Sequence, residues 1–537
     1  MKKLLLVLAV SALFFGDLKA QDSVITGNIT SDAFLSSSKT YLLKGLVRVQ
    51  AGATLTIEPG TIIFGANDGS PDPASALIVK PGGKIIADGT VDRPIIFTSE
   101  FAKQGSPQEP TYGDWAGVII LGNAPINVSG GTATIEGPGD EFGGNNPDDD
   151  SGILRYVRIE YTGYAYSLNN EINGLTMGGV GRGTTLEYIQ VSFCGDDSFE
   201  WFGGNVNAKY LISFRSWDDD FDTDFGYNGK LQYLVALVDP QVADQSSSNG
   251  FESDNDGSGS LNEPRTSPTW WNVTLVGPKF TDTTTVNSLY ARGMHLRRSS
   301  LNKVTNTIIM GWPRGIRLDG VNTIQGAING DMWVNNSIIA GWTSSALDTV
   351  SSGGLSFDVN AWFTNAGGRT FTTNAEVMLT NPFDLLNPDF RPMSGSPALA
   401  GGATPPDDGF FNPLATFIGA FGEVDWTEGW TNWAPRDYVL SVEAIDNNIP
   451  ASFELSQNFP NPFNPSTTIN YHIPESGNVK IAVYDVLGNL VEEIINEYQN
   501  AGNYKFDFDA SHLSSGVYVY QLITNNFISS KKMTLIK

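Results

Sequence analysis

The 537-residue chain has a single cysteine, Cys194, and only three histidines, His295, His472 and His512. One thiol cannot close an intrachain disulfide, so a disulfide framework is excluded. No histidine lies near Cys194 in sequence to activate it, and it reads as a buried core thiol. So few histidines exclude a His-rich zinc centre. Basic residues are also scarce: 32 Lys and Arg stand against 58 Asp and Glu, a formal charge of −26. Such a surface repels phosphate backbones, which argues against nucleic acid as a partner and leaves divalent cations as candidates. Beyond the N-terminus, no apolar run is long enough to cross a bilayer, and no transmembrane span is expected.

What is abundant is glycine (58), proline (28) and tryptophan (12), while charged residues make up only 17%. Many glycines with few helix-forming charges predict an all-β, turn-rich chain.

The two ends predict export. Lys2 and Lys3 precede an apolar stretch from Leu4 to Phe15, too short for a membrane span and suited to a signal peptide over 1–20, cut after Ala20. No cysteine lies near this cut to carry a lipid. At the other end, Ile469–Ile473, Val479–Tyr484 and Tyr504–Phe508 alternate apolar and polar residues, and Asp485–Asn489 and Ser515–Gly516 supply turns. Six or seven short strands in about 85 residues predict a small immunoglobulin-like sandwich over 453–537. Its motifs are Asn458-Phe459-Pro460-Asn461-Pro462-Phe463-Asn464-Pro465, Tyr484-Asp485-Val486-Leu487-Gly488, Leu513-Ser514-Ser515-Gly516-Val517-Tyr518 and the final Lys531–Lys537. In this order they resemble the type A C-terminal sorting domain of the type IX secretion system. The resemblance implies passage through the periplasm, recognition by the secretion machinery, and a secreted or outer-membrane-surface location in a Gram-negative bacterium. Because His472 and His512 fall in this module, they are poor catalytic candidates. Residues 441–452, with Asn447, Asn448 and Pro450, read as a linker.

Residues 21–440 repeat. Thr54–Gly60 and Leu77–Gly83 are matching alternating runs closed by Pro-Gly and offset by 22 residues. Leu154–Ile159, Leu186–Val191, Ala208–Ser213 and Leu231–Ala236 share one form, with Tyr188, Tyr210 and Tyr233 spaced 22 and 23 residues apart. Later runs open with Asn272, Asn306 and Asn336 and close with Gly277, Gly311 and Gly341. Such periods, with two or three short strands each, predict a right-handed parallel β-helix rather than a propeller, whose blades need about 40 residues. Val47–Phe64 resembles the first coils of bacterial surface β-helices, and 152–341 is similar to an uncharacterised group of secreted β-helix proteins. Residues 398–435, rich in Gly, Pro, Phe and Trp, are expected to cap the solenoid's last coil.

Acidic clusters recur on this repeat. Aligning Phe199, Phe221 and Phe251 places Glu200, Asp222 and Glu252 in one ladder, with Asp196 near Asp218 and Asp197 near Asp219. Coils stack about 4.8 Å apart, so like carboxylates repel unless a cation or a proton intervenes. The candidate Ca²⁺ ligands are Asp196, Asp197, Asp218, Asp219, Asp220, Asp222, Asp224, Asp254 and Asp256; a solvated acidic face is the alternative. Asp148–Asp150 reads as an exposed loop. Arg292, His295 and Arg297 crowd together and are the candidate catalytic groups, with pairing to acidic neighbours as the plainer role. Trp201, Trp217, Trp270, Trp271, Trp312, Trp333 and Trp342 either fill the core or present a sugar-stacking row. The leading expectation is a non-enzymatic, Ca²⁺-stabilised, glycan- or surface-binding protein. The alternatives are a polysaccharide lyase or glycosidase on the same scaffold, which calls for paired carboxylates or for Ca²⁺ beside an arginine, and a purely structural stalk.

Overall fold

The computed structural model describes residues 23–67, 75–103, 106–167, 170–436, 438, 443–444, 452–474, 477–499, 501–510, 513–524 and 527–537. The signal peptide expected over 1–20, most of the linker expected over 441–452, and His512 lie outside the described residues. Among those residues no helix is long and apolar enough to cross a membrane.

The large repeat is a parallel β-helix. Twenty-five strands join one sheet, and each strand pairs in parallel with its counterpart one coil on. The long strands Gly152–Glu160, Thr185–Ser192, Asn207–Phe214, Lys230–Leu237, Thr269–Val276 and Lys303–Met310 run in continuous register. Leu154, Leu186, Ala208, Leu231, Trp270 and Val304 thereby form one interior column, every member buried. Alternate side chains of a strand point to opposite faces, so one run both fills the lumen and decorates the outside.

The tyrosine and asparagine repeats occupy a single column. Tyr156, Tyr188, Tyr210, Tyr233, Asn272, Asn306 and Asn336 all have φ between 46° and 63°, and each bends its coil at the same corner. Asparagine tolerates this left-handed backbone better than other residues with side chains. The tyrosines compensate by stacking, with ring centroids 4.4, 4.1 and 4.8 Å apart along the four.

The expected C-terminal cap takes another form. The last coil is closed by Leu355, Phe357, Trp362 and Phe363, around the helix Val359–Asn365 capped by Asp358. Residues from about 397 to 436 instead run back along the solenoid's flank as a strap, over the tyrosine–asparagine corner. Amide side chains of successive coils hold its backbone. Asn336 donates to Gly401 O, Asn306 pairs with Ala403, and Asn272 donates to Phe417 O. Gln232 accepts from Asn412 N, Gln190 makes both bonds to Asn432, and Tyr438 donates to Glu160. Beneath the strap lies a second core that includes Phe214, Leu237, Ile308, Phe390, Phe421 and Trp430. The outer face of the long strands is apolar there and must be covered; an end cap alone would leave it in water.

The C-terminal part contains two four-stranded antiparallel sheets, Glu443–Ala444, Gly502–Asp509, Ser466–Ile473, Glu454–Leu455 and Leu490–Gln499, Gly477–Tyr484, Gly516–Thr524, Ile528–Leu535. They enclose a core with Ile469, Tyr471, Ile481, Tyr520 and Met533.

Candidate functional site: a charged column on the solenoid

Six short strands stack on another side of the helix: Phe199–Gly204, Phe221–Asp224, Asn249–Ser253, Arg292–Leu296, Arg314–Asp319 and Ser345–Val350. Their register places Phe199, Phe221, Phe251, Met294, Ile316 and Leu347 in one buried column. Facing outward, the next residue of each strand forms the column Glu200, Asp222, Glu252, His295, Arg317, Asp348. The ladder expected from the phenylalanine alignment is in place. It also continues through His295, Arg317 and Asp348, which sequence spacing did not reveal, because 43 residues separate Glu252 from His295 where the preceding coil steps are 22 and 30.

In the acidic half, three groups bring carboxylate oxygens within 4.8 Å of one another: Asp196, Asp197 and Asp218; Asp197, Glu200 and Asp222; and Asp219, Asp222 and Glu252. Asp197 and Asp222 are each shared between two groups. The Asp219 amide donates to Asp197 Oδ1 at 2.8 Å, and Asn249 Nδ2 donates to Asp219 Oδ1 at 3.1 Å. Asn173 Nδ2 donates to Glu200 and, at 3.0 Å, to Glu136. Asp222 Oδ1 is buried without a hydrogen-bond partner.

Burial raises the carboxyls of Asp197, Glu200, Asp219 and Asp222 well above their usual range, and the neighbouring acids push them further. Burial and Asp254 push Asp224 up to about 7. Glu252 goes the other way: despite burial, His295 and Arg297 hold it below the ordinary value.

The remaining candidates are placed differently. Asp220 turns inward, fully buried, and accepts from Ser213 Oγ at 2.5 Å. Asp254 is held by Arg297 at 2.8 Å and Arg298 at 2.7 Å. Asp256 locks its own loop by accepting from the Ser258 and Ser260 amides. His295 Nδ1 lies 3.3 Å from Glu252 Oε2, and Arg297 pairs with the same carboxylate, so the two do share a face. Arg292 Nη1 donates to Asn249 Oδ1 at 3.2 Å, and its Nε is buried without a partner. Burial, with Arg317 and Arg314 nearby, lowers its pKa.

Most tryptophans fill the core: Trp201, Trp270, Trp271 and Trp312 are buried, and Trp333 and Trp342 are half-buried. Trp217 is the exception, 40% exposed. Cys194 is buried and donates to Asp197 O; burial pushes its thiol up to about 12.

Residues 27–377 match the family model described as pectate-lyase like beta helix domain. The chain belongs to that family. Within this pectate-lyase-like helix, the acidic coils and Arg292, His295 and Arg297 occupy adjacent turns of one face. Residues 457–537 match the secretion system C-terminal sorting domain. The protein is therefore a β-helix protein sorted through the type IX system and carried to the cell surface or beyond it. The comparison with curated proteins finds no match.

Among solved structures, full-length tailspike protein 2 from an Escherichia coli O157:H7 bacteriophage aligns with 91% of this chain and 64% of its own, at 10% identity and a TM-score of 0.23. The chain thus spans less than two thirds of that tailspike. The Dettilon tailspike protein aligns with 91% of this chain and 84% of its own, at 11% identity and a TM-score of 0.16. The fold is carried by the family match and the strand register, not by these alignments.

Proposed function

We propose that the protein is a non-catalytic glycan-binding protein of the cell surface whose acidic column holds Ca²⁺. The observation that carries this reading is the set of three overlapping carboxylate groups, all oxygen, sharing Asp197 and Asp222. Ca²⁺ takes six to eight oxygens at about 2.3–2.6 Å. Three oxygens within 4.8 Å of one another leave room for an ion at most about 2.8 Å from each, close to that range, and such an ion replaces the protons that burial otherwise forces onto these acids. A carboxylated sugar would complete the ion's shell from solvent and meet Arg292 one coil away. Trp217 supports the same reading. Its indole N–H donates to Ala243 O at 3.0 Å, and its ring packs edge-on to Tyr112 at 5.8 Å. It is thus a fixed, exposed platform next in sequence to Asp218, suited to the apolar face of a sugar ring.

The second reading, a lyase, rests on Arg292. Burial lowers its pKa, whereas Arg297 is held protonated by Glu252 and Asp254 despite its burial. One experiment separates the readings: incubation of the full chain with polygalacturonate and with alginate, with Ca²⁺ and with EDTA. Ca²⁺-dependent retention of polymer without chain shortening is expected. Ultraviolet absorbance from an unsaturated uronide, lost in Arg292→Lys, would establish the lyase instead. No binding and no cleavage would refute both.

A further inference from the structure

The sorting domain displays apolar side chains where its own stability gains nothing from them. Among the described residues, six of the nineteen exposed large hydrophobics fall in 457–537, less than a sixth of the chain. Leaving a large apolar side chain in water forgoes the stabilisation that its burial would give, so a concentration of them marks a surface that binds something.

The sorting motifs divide cleanly into framework and display. Asn458 is buried: its N–H donates to the Tyr520 hydroxyl at 2.7 Å, and its amide donates to Pro460 O and Thr467 Oγ1. Phe463 is buried in the sandwich core, and Asn461 ties this segment to the last strand by accepting from Thr534 N and donating to Lys532 O. Phe459, between these anchors, is 80% exposed. In the second motif, Asp485 accepts from Leu487 N, Asn489 N and Asn489 Nδ2, and Gly488 takes φ 84°, which few other residues adopt. This rigid turn holds out Val486 and Leu487, 69% and 84% exposed.

Register brings these residues to one end of the sandwich. Tyr484 pairs with Val519, and Gly516 pairs with Leu535, so the turn after Tyr484 lies level with the end of the last strand. Phe463 bridges to Leu535, and Phe459 sits opposite Thr468, near the start of the strand Ser466–Ile473. Ile536, also exposed, follows Leu535. The other end carries the hairpin between Gly516–Thr524 and Ile528–Leu535, where Ile528 pairs with Ile523.

We infer that Phe459, Val486, Leu487 and Ile536 form the docking surface by which the type IX secretion machinery engages this domain, an apolar protein-to-protein contact at one end of the sandwich. The occupant follows from the motifs: the turns and anchors that define the sorting match are those that present these side chains. Asn458, Asp485 and Gly488 act as positioning residues for that surface.

The test is export of the full chain from a Gram-negative host with a type IX system, measured as the fraction at the surface or in the medium against that retained in the periplasm. Val486→Ser with Leu487→Ser, and separately Phe459→Ser, are expected to cut export at least tenfold while the retained protein keeps the parent's protease resistance. Ile528→Ser, at a position 65% exposed at the opposite end, is expected to export as the parent does. Normal export of the Val486/Leu487 and Phe459 variants overturns the inference, as does an equal loss with Ile528→Ser. Should the double variant lose protease resistance, Leu487→Gln decides, because it leaves every bond to Asp485 in place. None of these outcomes depends on the solenoid's ligand.

Discussion

Asp222 concentrates the conflict in the acidic column. It stands between Glu200 and Glu252 in register, and its Oδ1 has no hydrogen-bond partner. Two carboxylates about 5 Å apart repel by about 3 kcal/mol at an effective dielectric near 20, enough to keep one of them protonated. Asp222→Asn removes that repulsion at nearly constant shape. In EDTA the variant is expected to be more stable than the parent by about 1–3 kcal/mol, and in Ca²⁺ it should lose most of the cation-dependent rise in melting temperature. Equal rises in parent and variant would show that no ion uses this carboxylate.

The same acids set a pH dependence with a definite sign. Asp197, Glu200, Asp219 and Asp222 have folded pKa values raised above the usual range, and Asp224 is raised to about 7. A group raised on folding contributes stability that is complete below its unfolded pKa, near 4, and lost as pH climbs through the folded value. Cation-free protein should therefore be more stable at pH 5 than at pH 8, unlike a chain limited by broken salt bridges. Saturating Ca²⁺ should reverse the order, because the ion competes with protons for these oxygens. Urea unfolding at both pH values, with EDTA and with Ca²⁺, reads this directly; a cation-free optimum at pH 8 would contradict the raised values.

At the scale of elements, the corner column and the strap depend on each other. Asn272 takes φ 55° and donates to both Ala415 O and Phe417 O of the strap. Asn272→Gly keeps the backbone and loses the amide, whereas Asn272→Ala loses both. The expected costs are about 1–2 kcal/mol for glycine and about 2–4 kcal/mol for alanine, with faster proteolysis between residues 401 and 435 in each. Identical costs would mean that the left-handed corner carries no strain.

The coil repeat was legible because 22-residue spacing and strand phrases of one form survive in the chain, and the phenylalanine alignment gave the ladder of Glu200, Asp222 and Glu252. The strap was not legible as a strap. Its partners lie far away in sequence, Gln190 being 242 residues from Asn432, and no periodicity links them; composition marked the segment as special but could not say what it covers. The continuation of the column through His295, Arg317 and Asp348 was hidden by the long insertion before Arg292, although the alternation of Met294, His295 and Leu296 repeats that of Phe251, Glu252 and Ser253.

For the whole molecule, the charged column is acidic through Glu200, Asp222 and Glu252 and mixed beyond them, where His295 is followed by Arg317 paired with Asp348. In a solenoid each coil contacts only its neighbours, so stability is close to a sum of coil terms and nearest-neighbour interfaces. Removing a cation from the acidic coils should then loosen those coils and the turn on either side, and little else. The strap opposes such locality, because it ties coils from Asn336 to Gln190 through one peptide. Hydrogen exchange of the full chain in EDTA against Ca²⁺ measures the balance. Faster exchange is expected in strands 199–204, 221–224 and 249–253 and, through Gln190 and Gln232, in the strap near Asn412 and Asn432. The strands Thr40–Val49 and Ile62–Gly65, far from the acidic coils in the stack, should exchange unchanged. Uniform acceleration from Thr40 to Asn336 would make the solenoid one cooperative unit, and acceleration confined to the three acidic strands would mean that the strap bonds transmit nothing between coils.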